Sequence, residues 1–229
     1  MNKTPLLVAQ DVRKSFFKGK KEIKVVRGVN LKIQPGEMVA ITGASGVGKS
    51  TLLHILGTLE APTSGQVLFG EDQIDLFRMS EKGLSEFRNR FLGFVFQFHY
   101  LLPEFSALEN VMMPALIAGY SRLVAADKAK ELLEFVGLRH RLEHRPSELS
   151  GGEQQRVSIA RAVILRPKLI LADELTGNLD SQNRAMIVEL LVRLNRGTGV
   201  SILLVTHDQE VAQQMHRVLP MKDGAFLLK

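Results

Sequence analysis

Eight residues, Gly43-Ala44-Ser45-Gly46-Val47-Gly48-Lys49-Ser50, restrict what this chain can fold into more than any other stretch. They fit G-x-x-x-x-G-K-[ST] at every fixed position and are followed by Thr51. Before them runs the apolar segment Glu37 to Thr42; after them Leu52, Leu53, Ile55 and Leu56 recur at helical spacing. The order is strand, glycine loop, helix. Glycines let the backbone curl so that successive N–H groups converge, and the helix dipole favours negative charge at its amino end. In that context Lys49 is expected to reach the β and γ phosphates of a nucleotide and the Ser50 hydroxyl to ligate Mg²⁺. The alternative, a glycine-rich turn with no ligand, does not account for the lysine or for the flanking strand and helix.

The 229 residues leave room for one large domain, or for a domain with one inserted subdomain, at roughly 150 residues per domain. With 45% hydrophobic and 24% charged residues the chain can bury a core, which excludes disorder. Cysteine is absent, so disulfides, thiolate metal sites and cysteine nucleophiles are excluded. No apolar run reaches the ~18 residues of a membrane span, and Met1 to Gln10 lacks a secretory core, so a cytoplasmic protein is expected. The net charge of +6 is concentrated in residues 1–27, which hold eight basic and two acidic side chains. There Lys18, Lys20, Lys21 and Lys24 are readable as attracting anionic headgroups, as steering a nucleotide, or as a solvated hairpin tip.

Further strands are predicted at Leu169 to Ala172 and Ile202 to Val205, continuous apolar runs of the kind buried on both faces of a parallel sheet. Each ends in polar residues, Asp173-Glu174 and Thr206-His207, where open parallel sheets gather ligands. Asp173 is placed to hold Mg²⁺ through water and Glu174 to polarise an attacking water, against the plainer reading of a solvated acidic loop. Asp223-Gly224 reads as a closing hairpin between Val218 to Met221 and Ala225 to Leu228. From Phe98 to Arg166 helical signals dominate, punctuated by Pro103, Pro114, Gly137 and Pro146. His140 and His144 have half the spacing of a zinc site, but without cysteine or a third ligand a surface or capping role is expected.

Leu149-Ser150-Gly151-Gly152-Glu153-Gln154-Gln155-Arg156 opens another helix, with Ser150 and Glu153 at capping-box spacing. Two glycines in its first turn cost helix stability but permit close approach of a ligand to the amides. The set of Gly43 to Ser50, Gln97, Leu149 to Gln154, Asp173-Glu174, Asn178-Leu179-Asp180 and His207 resembles an ABC-type ATPase cassette, over nearly the whole chain. The resemblance implies an α/β fold: a P-loop NTPase (RecA-like) core with a mostly parallel sheet over residues 1–97 and 167–229, N-terminal antiparallel β strands, and a helical subdomain inserted at 98–166. It implies ATP and Mg²⁺ as ligands, with Gln97 linking Mg²⁺ and water to the helical subdomain, Asn178 to Asp180 as the D-loop, and His207 contacting the γ phosphate. Phe16 takes the position of the aromatic that stacks on adenine, although core packing of a strand-edge Phe fits its spacing as well. It further implies a head-to-tail homodimer in which Ser150, Gly151 and Gly152 of one copy complete the phosphate loop of the other.

Gln97 to Pro103, Ala107 to Val111 and His144 to Leu149 are similar to the ATPase subunits of bacterial lipoprotein-releasing complexes, with macrolide-export and division ATPases as sister groups. That likeness implies a peripheral subunit at the cytoplasmic face of the inner membrane. It would grip two integral membrane subunits through a cleft around Phe98 to Phe105, residues otherwise readable as helical core. No direct contact with lipid cargo and no nucleic acid are expected; 229 residues accommodate neither inserted coiled coils nor tandem cassettes. One departure stands out: Leu175 follows Glu174 where the family usually has proline, which relaxes the backbone beside the acid.

Overall fold

The computed structural model describes residues 4–175, 177 and 180–227; Asn178 and Leu179 of the D-loop, Thr176 and Leu228 lie outside the described residues. Along the chain run β1 (Leu7–Lys18), β2 (Lys21–Ile33), β3 (Met38–Thr42), α1 (Lys49–Leu56), β4 (Ser64–Phe69), β5 (Ile74–Asp75), α2 (Glu81–Phe91), β6 (Leu92–Val95), α3 (Ala107–Ile117), α4 (Arg122–Phe135), α5 (Gly151–Val163), β7 (Leu169–Asp173), α6 (Ser181–Thr198), β8 (Ser201–Thr206), α7 (Gln209–Ala212), β9 (Arg217–Lys222) and β10 (Ala225–Phe226). They form two compact units, residues 1–85 with 201–229 and residues 86–200.

In the first unit β3 lies between β8 and β9, parallel to both, with Val39 opposite Leu203 and Thr42 opposite Thr206. Every residue of β3 and β8 is buried, which is why both read as unbroken apolar runs rather than alternating ones. The β9–β10 hairpin turns through Asp223 and Gly224, both at positive φ as a two-residue turn of this hand requires. A separate antiparallel sheet has the order β2-β1-β4-β5. Its β1–β2 hairpin ends with Lys18 opposite Lys21, and Lys18, Lys20, Lys21 and Lys24 are all exposed.

In the second unit β6 and β7 pair in parallel, with Val95 opposite Ala172, and helices α3 to α6 supply the helical part. Helix α4 buries Ala125, Ala129 and Leu133, one stripe at i, i+4, i+8. Pro114, expected to punctuate, lies inside α3. It removes one helical N–H. The helix runs on because Ser106 and Glu109 close a capping box at its start and Ala107, Val111, Met112 and Ala115 bury one side. Asn89 Nδ2 donates to the Pro114 carbonyl at 3.1 Å.

Candidate nucleotide-binding site

The loop from Gly43 to Gly48 leaves the carboxyl end of β3 and enters α1. Gly43, Gly46 and Gly48 all have positive φ. At Gly43 a Cβ would collide with the Met221 carbonyl, and at Gly48 it would lie 2.6 Å from the Val25 carbonyl oxygen, so both turns exclude side chains. Gly48 caps α1 without a side-chain acceptor, whereas α3 to α7 each begin with a serine or aspartate that accepts from a backbone N–H. The start of α1 thus carries no side-chain cap that would compete with an anion for the positive end of the helix dipole. Lys49 is 5% exposed and its Nζ donates to the carbonyls of Gly43 and Ala44, 3.0 Å each, which holds a cation inside the curl of the loop. Ala44, Ser45 and Gly46 are exposed, while Val47 and Ser50 are half-buried; Thr51 lies in the first turn of α1.

His207 follows the last residue of β8, and the parallel register sets Thr206 opposite Thr42, so the histidine emerges beside the start of the phosphate loop. Asp208, which caps α7 through Glu210 N and Val211 N, donates its own N–H to Thr206 Oγ1 at 3.0 Å and fixes the turn that presents His207 to solvent.

Strand register places the groups of the second unit in the same way. Gln97 lies two residues past β6; Asp173 ends β7 and Glu174 follows it, and the two strands are parallel neighbours. Gln97 is brought onto the chain just beyond the acids: a Cβ on Gly177 would lie 3.1 Å from Gln97 Nε2. Gly177 N donates back to the Glu174 carbonyl at 3.2 Å. Glu174 itself has φ 46°, uncommon for a residue with a side chain, and Leu175 beside it is buried. A proline at 175 would push Glu174 toward extended backbone.

Ser150 caps α5 as its spacing predicted: Ser150 Oγ accepts from Glu153 N and Ser150 N donates to Glu153 Oε2 at 2.8 Å. These bonds from Ser150, aided by Arg141 at 3.0 Å, hold the Glu153 carboxyl below the usual carboxylate range. The cap leaves Ser150 and Gly151 facing solvent. Gly152 has a packing reason of its own: a Cβ there would lie 2.5 Å from Asn183 Oδ1 of α6. Asn183 is in turn bound to Asp180, N to Oδ1 at 2.9 Å and Nδ2 to Oδ2 at 2.6 Å. The Asn183 backbone bond is the main reason the Asp180 carboxyl titrates low. Asp180 is therefore the cap of α6, joined through Asn183 to the signature glycine.

Phe16 stays 40% exposed on β1 with Lys14 Nζ 5.0 Å from its ring centroid, so it is not a core residue. Phe98 and Tyr100 are 65% and 66% exposed, which likewise removes the core reading of that segment. His144 pairs with Arg141 at 2.9 Å and His140 is exposed. Asn183 and Arg161 were not singled out by sequence. The signals were an asparagine three residues past a helix-capping aspartate, and an arginine inside the apolar run Val157 to Val163.

The family model for ABC transporters matches residues 26–177. The "Lipoprotein-releasing system ATP-binding protein LolD" of Geobacter metallireducens is 55% identical over 219 residues, 96% of each chain. The protein of the same name from Syntrophotalea carbinolica is 56% identical over 211 residues, 92% of each chain. Among solved structures, a dimeric post-hydrolysis state of the ATP-binding cassette MJ0796 bound to ADP and Pi superposes with a TM-score of 0.89 at 40% identity, covering 97% of each chain. With its phosphate loop, strand-end acids and capped signature helix arranged as above, the chain belongs to the ABC transporter family.

Proposed function

We propose that the chain is the ATP-hydrolysing motor of a lipoprotein-releasing transporter, acting as a head-to-tail dimer peripheral to the cytoplasmic face of the inner membrane. The observation that carries the reading is that phosphate-binding and acid groups both issue from carboxyl ends of parallel strands, Gly43 to Ser50 beside His207 and Gln97 beside Asp173-Glu174. The relatives named for lipoprotein release support the transport class, and the dimeric cassette supports the pairing.

In this reading the amides of Ala44 to Ser50 and the Lys49 ammonium bind the phosphates, Thr51 adds to the start of α1, and Phe16 stacks on adenine. Ser50, Gln97 and Asp173 present hydroxyl, amide and carboxylate oxygens, a donor set suited to Mg²⁺ rather than to softer metals. When bound, Mg²⁺ neutralises phosphate charge that builds up during transfer. Glu174 takes the proton of the attacking water, and His207 donates to the γ phosphate. Ser150, Gly151 and Gly152 donate from the partner copy, with Asp180 fixing the adjoining loop. ATP-driven closure is passed to two membrane subunits gripped near Phe98 to Phe105, while cargo stays with those subunits.

Glu174→Gln is expected to keep ATP affinity within about twofold while turnover falls by at least roughly a hundredfold, the scale of a lost general base. Radiolabelled ATP binding and phosphate release measure the two. Parent-like turnover in that variant would remove Glu174 from its role. Mild-detergent purification with membrane partners, identified by mass spectrometry, tests the transport class.

A further inference from the structure

Five residues past β6 the chain does something a plain loop does not. Tyr100 has φ 46°, in the left-handed region that bulky residues avoid, and its ring meets Phe96 edge-on at 5.4 Å between centroids. Phe98 and Tyr100 nevertheless present most of their surface to solvent. Something must hold this conformation against relaxation. Arg161, in the second half of α5, supplies it: one terminal nitrogen donates to the Tyr100 carbonyl and the other to the His99 carbonyl, both at 2.7 Å. Among the described residues no carboxylate pairs with Arg161, and burial pushes its guanidinium below the usual arginine range. A largely desolvated cation bound only to neutral carbonyls is costly, so it is poorly explained as generic surface charge. Gln154, in the first turn of α5, lies close enough to His99 of the same segment to oppose the effect of burial on its ring. Gln154 also donates to the carbonyls of Pro146 and Leu149, just ahead of the signature serine.

We propose that Arg161 is a positioning residue that clamps the Phe98–Tyr100 segment to the signature helix, so that displacement of α5 moves the exposed aromatic pair as one piece with it. Gln97 stands at one end of the clamped segment and the two exposed rings at the other. The clamp is therefore the link by which the state of the signature helix reaches the surface offered to the membrane subunits. This rests on the function proposed above for Gln97 and the signature residues. The fork of a guanidinium spans two successive carbonyls, whereas a lysine ammonium delivers a point charge.

The test compares parent, Arg161→Lys and Arg161→Gln as full chains with ATP and Mg²⁺. Peptide 96–104 is followed by hydrogen exchange and by the rate of chymotryptic cleavage after Phe98 and Tyr100. Arg161→Gln is expected to raise exchange and cleavage there about tenfold and Arg161→Lys by less, with peptides of β1 and β2 unchanged. Steady-state kinetics of the same chains with their membrane partners are expected to show an unchanged KM for ATP and a kcat about tenfold lower in Arg161→Gln, partly rescued by Arg161→Lys. Parent-like protection of 96–104 in Arg161→Gln overturns the clamp. A loosened segment with parent-like kcat in the complex overturns its relay role. A parent that fails to bind ATP would instead count against the proposed function. Should Arg161→Gln not fold, the Arg161→Lys chain carries the comparison, and equality with the parent in both measurements overturns the proposal.

Discussion

Lys49 and His99 illustrate how single groups here are set by their surroundings. Lys49 is buried in a loop whose other polar groups at hand are carbonyls, and its removal takes away the positive charge that phosphates would meet. Lys49→Ala should weaken ATP binding by at least roughly tenfold, the order lost with a buried charged hydrogen-bonding group, as read by equilibrium binding. Burial, opposed by the nearby Gln154 side chain and reinforced by the nearby Arg161 charge, holds the His99 ring below the usual histidine range. The folded state then favours the neutral ring. Its contribution to stability is present above the unfolded value and is lost as pH falls through the lower folded value. Melting between about pH 7.5 and about pH 5 should drop more steeply in the parent than in His99→Gln, and identical slopes would show that His99 carries no such linkage. Glu174 and Leu175 act on each other through the backbone. Leu175→Pro should drive Glu174 out of its left-handed conformation and fix the chain beside it, raising kcat severalfold, about threefold or more, at unchanged KM.

Among elements, the contact of α5 with α6 turns on one glycine. Asn183 is tied to Asp180 through its backbone N–H and again through its side-chain amide, which leaves the amide little freedom to swing aside from a new methyl. Gly152→Ala should therefore destabilise by about 1–3 kcal/mol, the usual cost of overpacking, and adding Asn183→Ala should recover part of it in chemical denaturation. This contact also marks where sequence reading stopped. The strands β3, β7 and β8 were legible because strands buried on both faces carry unbroken apolar runs. The phosphate loop and the Ser150 cap were legible because both are local, with all their partners within a few residues. Gly152 read as an opening for a ligand, whereas its neighbour on α6 lies thirty-one residues on, at Asn183, a pairing that only tertiary structure creates. Arg161 was invisible for the same reason, since its partners His99 and Tyr100 are about sixty residues away and accept through backbone oxygens that carry no sequence signature. The helix through Pro114 was misjudged because the buried side of α3 outweighs the one bond that proline removes.

For the whole molecule the decisive feature is the signature helix start, capped yet turned to solvent. A helix start whose serine and first glycine are exposed is suited to a phosphate brought by another copy. The Glu174→Gln chain should accordingly sediment as a dimer in ATP and as a monomer without nucleotide, because binding persists while the step that releases the partner is blocked. Dependence on a second copy is read from the ATPase rate per chain as the parent protein is diluted from micromolar to nanomolar concentration, with sedimentation reporting association at each point. Activity per chain is expected to fall in step with the dimer fraction. Constant activity per chain in samples that sediment only as monomers would show that one copy hydrolyses ATP alone.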